Sequence, residues 1–248
     1  NSILKFYILT ILLSLPFAIF AQWTPTNGPS GSIRSFGIGN NLIFAGSNSK
    51  KIYKSDDNGE NWVLCGDDTL PNTSILALAT MNDTIFAGTY GGGVYRSDNN
   101  GDTWSPLDFS LGFSNVMCLK VAEHDLFAGK YGGVYLSNDK AETWQHLQNG
   151  LNNTNVFDIE IRNDEIFAAS YDGVFYSSNY GSNWTNINSG LSDTYVWSLH
   201  LNGSDIFAGT NSGVFRSQDN GQNWAAANTG IDTLTVYDLK SDGSYLFA

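Results

Sequence analysis

Few residues in this sequence could carry chemistry, and most of them recur at a fixed interval. Asp158 and Asp238 hold the same place in a period of 40 residues. Ser35, Ala77, Cys118 and Ser198 hold it elsewhere. Two carboxylates at the right separation can hydrolyse a glycosidic bond, one as acid and one as base or nucleophile. The plainer reading, which we favour, is that both bond to water or to backbone. A second set is Tyr90, Tyr131 and Tyr171, matched across three periods, with Lys130 and Asp172 beside them. The first and fifth periods carry Ser49 and Asn211 there. Three tyrosines at one rim can stack on a sugar or an apolar peptide side chain. Otherwise each ring packs over its own glycine-rich loop.

Other chemistry is sparse. The chain has no G-x-S-x-G, H-E-x-x-H, C-x-x-C or P-loop motif. His124, His146 and His200 share no ligand spacing, so no zinc site is expected. Asp56-Asp57-Asn58-Gly59-Glu60 offers too few oxygens for a calcium loop and lacks the distal bidentate Glu. Neither a metal nor a cofactor is therefore expected. Two cysteines, Cys65 and Cys118, occupy different places in the period, and their pairing is not legible.

The elements that position these residues follow from the repeat itself. Trp62, Trp104, Trp144, Trp184 and Trp224 recur at spacings of 42, 40, 40 and 40. Each closes an octapeptide, with these key residues: Ser55, Asp57, Gly59 and Trp62; Ser97, Asn99, Gly101 and Trp104; Ser137, Asp139 and Trp144, with Ala141 in the glycine's place; Ser177, Asn179, Gly181 and Trp184; Ser217, Asp219, Gly221 and Trp224. Glycine admits a positive φ in the turn, and the Ser and Asp or Asn side chains can bond back to turn amides. Each Trp can bury roughly 150–250 Å², an upper bound near 4–6 kcal/mol. Upstream of each octapeptide lie an alternating strand, an Ile/Leu-Phe-Ala-Gly/Ala strand and a Val-Tyr/Phe strand. In the unit ending at Trp224 the strands are expected near 196–201, 205–209, 213–217 and 223–227. A 40-residue unit of four strands has the size of a propeller blade.

The octapeptides resemble the Asp-box, or BNR-repeat, family of β-propellers, whose pattern is Ser-x-Asp-x-Gly-x-x-Trp. The units at Trp62 and Trp224 match it fully; those at Trp104 and Trp184 carry Asn99 and Asn179 for Asp. The resemblance covers residues 22–248 and implies an all-β fold of four-stranded blades. Five complete blades plus partial ones would be present, as a fragment of a six- to eight-bladed ring cut at the C-terminus. It implies that the first strand of each blade lines a central channel, with Asp158 and Asp238 approaching the axis from alternate blades. The tyrosine loops would then open on one face and the octapeptide turns on the other. Trp23-Thr-Pro-Thr-Asn27 resembles Trp184-Thr-Asn-Ile-Asn188, so the mature chain is expected to begin with an outer strand.

Composition narrows the function. Lys and Arg total 12 against 24 Asp and Glu, a net charge of -12. That balance argues against nucleic acid and against an anionic membrane surface. Residues 1–21 read as a secretory signal peptide, with Lys5, an apolar run to Phe20 and Ala21 at the cleavage point. The apolar run is short for a stable membrane span. A secreted, periplasmic or cell-surface location follows. The resemblance implies two classes of function. Sialidases of the family grip a carboxylate with three arginines; here Arg96 and Arg216, like Lys54, precede octapeptide serines, leaving only Arg34 and Arg162 on inner strands. Xyloglucanases resemble the repeat more closely but work between two propellers. Photosystem II assembly propellers and sortilin-type receptors are similar in the Gly190-Leu191 and Gly133-Val-Tyr135 segments, and bind proteins or peptides. The expectation is a secreted, non-catalytic module that binds an extracellular protein or glycan, with a glycoside hydrolase as the alternative.

Overall fold

The computed structural model describes residues 27–29, 31–66, 70, 73–107, 111, 112, 114–152, 154–231 and 235–248. The signal-peptide segment and Trp23 lie outside the described residues. Among the described residues, no helix is long and apolar enough to cross a membrane.

Each repeat forms one four-stranded antiparallel sheet in sequential order, and five such sheets are present, followed by a two-stranded one. Blade one runs through Ile33–Gly39, Leu42–Ser47, Ile52–Ser55 and Val63–Cys65. Blades two, three, four and five begin at the inner strands Ile75–Met81, Val116–Ala122, Val156–Arg162 and Val196–Asn202. Blade five continues through Asp205–Thr210, Gly213–Ser217 and Ala225–Ala226, close to the boundaries expected from the sequence. Its outer strand is shorter than expected because the turn extends to the tryptophan. Lys240–Ser241 and Leu246–Phe247 form the two-stranded sheet, which we call blade six. The inner strands of successive blades pack side by side and make the hub.

Packing explains the Phe-Ala-Gly strand. It lies between two neighbouring strands of its own sheet and two neighbouring blades, so both of its faces are apolar. Phe44, Phe86, Phe127 and Phe167 are fully buried. The glycine that follows lets the next blade approach. A Cβ on Gly88 would stand 2.7 Å from Val116 Cγ1, and one on Gly129 would stand 2.8 Å from Val156 Cγ1.

The octapeptide turn is held the same way in all five blades. The serine Oγ accepts the N–H of the glycine position at 2.8–2.9 Å, with Ala141 N taking that role in blade three. The Oδ1 two residues on accepts both that hydroxyl and a later N–H, as Asp57 does from Ser55 and Asn61. Only one oxygen is needed, which is why Asn99 and Asn179 serve as well. The N–H bonds received hold the Asp57 carboxyl down to about 2. Ala141 keeps the left-handed backbone, φ 68°, without glycine's freedom.

The tryptophans wedge between blades in two ways. The Trp184 and Trp224 indole N–H groups donate across the seam to the Leu147 and Ile187 carbonyls, at 3.0 and 2.7 Å. Trp62 and Trp104 donate instead to Gly59 and Gly101 of their own turns. Trp144 Nε1 is buried without a partner. At the chain's described start, Asn27 bonds to Glu60 and Asn61 beside Trp62. Asn149 likewise meets the next blade, its side chain bonding Asn183 and its carbonyl accepting Trp184 N–H. Cys65 and Cys118 are separate buried thiols.

Candidate functional site

One residue in each inner strand is skipped by the ladder. The register slips between Ile33 and Ser35, Ile75 and Ala77, Val116 and Cys118, Val156 and Asp158, and Val196 and Ser198. A bulge of this kind re-aims the unpaired side chain. The bulge residues are Arg34, Leu76, Met117, Phe157 and Trp197, and Tyr237 follows Trp197 by one period. The bulge residues of blades four and five are therefore aromatic, and Tyr237 holds the same place in the sequence of blade six.

These rings join the neighbouring loops into one strip. Phe157 lies 4.6 Å from Tyr171 and 4.9 Å from Trp197, measured between ring centroids. Tyr195 lies 4.3 Å from Tyr171 and 4.6 Å from Trp197, and Tyr237 lies 5.3 Å from Trp197. Trp197 Nε1 donates to Asn211 Oδ1 at 2.8 Å. Burial, then the Tyr171 hydroxyl and the nearby Tyr131 and Tyr237, push the Tyr195 phenol well up, so it stays protonated.

Next to the bulge, Asp158 fastens two blades. Its Oδ1 accepts Ile159 N–H and its Oδ2 accepts Leu199 N–H of blade five, both at 2.9 Å. Burial first, and then repulsion from Glu160, raise its carboxyl to about 6. Asp238 Oδ1 accepts Leu239 N–H in the same way, at 2.8 Å, and Lys240 stands 3.3 Å away. Both carboxylates thus accept backbone N–H groups.

One step further along the inner strands is a row of ionisable groups: Lys120, Glu160, His200 and Lys240. Blades one and two have Gly37 and Ala79 at the same register. Lys120 Nζ pairs with Glu160 Oε2 at 2.7 Å across the seam between blades three and four. His200 Nε2 lies 2.8 Å from Ser241 Oγ, and burial lowers the pKa of this imidazole.

No protein-family model matches the chain, and no curated protein matches it. Solved structures do match. An ancestral GH74 enzyme superposes with a TM-score of 0.72 at 20% identity, over 88% of this chain and 34% of that one. The GH74 xyloglucanase from Xanthomonas campestris gives 0.70 at 12% identity, over 86% of this chain and 42% of that one. The extracellular domain of what is named a one component system from B. thetaiotaomicron gives 0.69 at 14% identity, over 85% and 30%. The fold is a β-propeller. The chain spans 30–42% of the length of these three propeller-containing chains.

Within the propeller the expected tyrosines do not act alike. Tyr171 joins the strip, and Tyr131, half exposed, stands near Tyr195. Tyr90 is exposed, shows no ring contact among the described residues, and is held through its backbone by Ser74 and Thr73. Its blade-one equivalent is Asn48, not Ser49. Asn48 N bonds to Ser32 O as Tyr90 N bonds to Ser74 O. That blade's loop is one residue longer than the loops of blades three to five, which displaced the alignment. Lys130 is a correction to the expected rim. It is buried, donates to Leu111 O at 2.5 Å, and lies over the Tyr135 ring. The reason is its position: Ser47, Thr89, Ser170 and Thr210 hold the same place and close their loops with a buried hydroxyl. Asp172 remains exposed beside Tyr171, while its carbonyl accepts from Asn186 and Asn188.

Sequence reading missed Phe157, Trp197, Tyr195 and Tyr237. The signal was present: an aromatic residue stands immediately before Asp158, Ser198 and Asp238 in three successive periods.

Proposed function

We propose that this chain is the propeller of a secreted, non-catalytic binding protein that takes an extracellular glycan or protein on the loop face of blades three to six. One observation carries the reading. The repeat keeps its backbone and turn chemistry constant, yet only these blades carry aromatic bulges or the ionisable row. A purely structural ring has no need of that asymmetry. The octapeptides also make kinship with Asp-box propellers the family reading we adopt. Export is supported by the 1–21 segment and by the extracellular location named for one structural neighbour.

The test is ligand capture on a panel of glycans and extracellular proteins. Replacing Tyr131 and Tyr171 together by Ala should weaken capture, with the circular dichroism spectrum unchanged. Tyr90→Ala, outside the strip, should leave capture intact. Equal effects from both replacements would count against this face.

A glycoside hydrolase is the second reading. It is supported by the two GH74 neighbours and by a carboxyl, Asp158, poised near neutral pH. An activity screen on sialosides and β-glucans with Asp158→Asn and Asp238→Asn decides between them. Turnover that either substitution abolishes would replace the binding reading with the catalytic one.

A further inference from the structure

The aromatic strip has a chemistry that narrows its ligand. Five rings, Tyr171, Phe157, Tyr195, Trp197 and Tyr237, touch in an unbroken series. Tyr237 is exposed, and the other four are half-buried at the surface. The faces do not form one plane. Phe157 and Trp197 are inclined at 42°, Tyr195 and Trp197 at 51°, and Trp197 and Tyr237 at 57°. A flat pyranose gains most from a ring parallel to it, and extended sugars need several such rings in line. Tyr171 stands at 78° to Phe157 and 62° to Tyr195, and Phe157 and Tyr195 are near parallel at 19°, so the strip is faceted rather than flat and suits a rounded group instead.

The electrostatics point the same way. The surrounding cations are engaged elsewhere: Lys130 with Leu111 O, Lys120 with Glu160, Lys240 with Asp238, and Arg34 with Asn48. The ionisable groups acting on Tyr195 are the hydroxyls of Tyr171, Tyr131 and Tyr237. Carboxylates flank the strip. Asp193 accepts Tyr195 N–H and the Ser212 hydroxyl, and Asp172 is exposed next to Tyr171. The chain as a whole carries a charge of -12. An anionic ligand finds these cations already paired, whereas aromatic faces attract cations. A bare ammonium is strongly hydrated and needs acceptors that ring faces lack. Methylation removes that need.

We propose that the strip binds the N-methylated ammonium group of a small choline-class molecule. The proposal rests on the loop face being a binding site and assigns the chemistry of its ligand.

The full chain is titrated with choline chloride and, separately, with 3,3-dimethyl-1-butanol, its uncharged isostere, at constant ionic strength. Tryptophan fluorescence and ligand-observed NMR report binding. Choline should bind saturably and at least ten-fold more tightly than the isostere. Trp197→Ala and Tyr237→Ala should each weaken it at least ten-fold, and Asp172→Asn several-fold. Tyr237 is exposed, so its replacement keeps the test open if Trp197→Ala fails to fold. Choline binding no tighter than the isostere overturns the ammonium assignment. If a soluble β-glucan then binds in a Tyr237-dependent way, the loop face stands and only the ligand class falls. Choline binding that survives both aromatic replacements overturns the strip as the site altogether.

Discussion

Replacing Asp158 by Ser should change how stability depends on pH. Blades one and five carry Ser35 and Ser198 at this place, so the smaller side chain fits the local backbone. In the fold, burial and then Glu160 raise the Asp158 carboxyl from 3.8 to about 6, against the opposing pull of Lys240, the Leu199 amide and Lys120. The folded form therefore holds a proton that the unfolded chain releases between those values. Stability falls as pH rises across the window, by about 1.4 kcal/mol per pH unit and at most about 3 kcal/mol in all. The two N–H bonds from Ile159 and Leu199 act in the opposite sense. Their loss costs about 1–3 kcal/mol. Wild type should thus exceed Asp158→Ser in stability at pH 4, with the gap closing or reversing by pH 7. Urea unfolding of both proteins through this range, followed by subtraction, isolates the one group. A gap that is flat or widens with pH refutes the reasoning.

Three other outcomes follow from single contacts. A Cβ on Gly190 would stand 2.3 Å from Trp224 O at φ 84°, so Gly190→Ala should cost about 3 kcal/mol or more and lower Tm by several degrees. Trp184→Phe should cost about 1–2 kcal/mol more than Trp144→Phe in urea, because only the first removes a bond across a seam. Cys65 and Cys118 are buried, and burial pushes the Cys65 thiol up to about 12, so neither should react with a thiol reagent until the chain unfolds.

The architecture was open to sequence reading because each blade repeats the same local problem. Ser, Asp or Asn, Gly and Trp occur at fixed offsets because one turn needs an oxygen, a left-handed residue and a wedge at those offsets. Such needs are local in the chain and leave a local trace. The site was only partly legible. Tyr171 and Asp172 were expected at the rim and stand at the surface, but Lys130 was assigned there too although its ammonium turns inward to Leu111, 19 residues earlier. Nothing local distinguishes a lysine that spans two loops from one in solvent. The Asp158 carboxylate likewise finds its second partner 41 residues away, at Leu199. The bulge that re-aims Phe157 and Trp197 is a property of the pairing with the second strand, and alternation along one strand does not reveal it.

The same contrast locates function within the repeat. On the turn face, blades differ by exchanges that preserve one bonding scheme: Asn99 bonds to Thr103 where Asp57 bonds to Asn61. Those differences leave the surface equivalent from blade to blade. At the hub the exchanges change kind. The bulge residue passes from Leu76 and Met117 to Phe157 and Trp197, with Tyr237 one period on, and a neighbouring register passes from Gly37 and Ala79 to Lys120, Glu160, His200 and Lys240. Stability alone would keep both registers small and apolar, because a Lys–Glu pair near the seam must offset its own desolvation. Lys120 and Glu160 nonetheless pair at 2.7 Å across the seam between blades three and four. The repeat departs from itself at adjoining registers, with charges in blades three to six and rings in blades four to six, and the overlap of the two runs is what sets this arc of the hub apart from blades one and two.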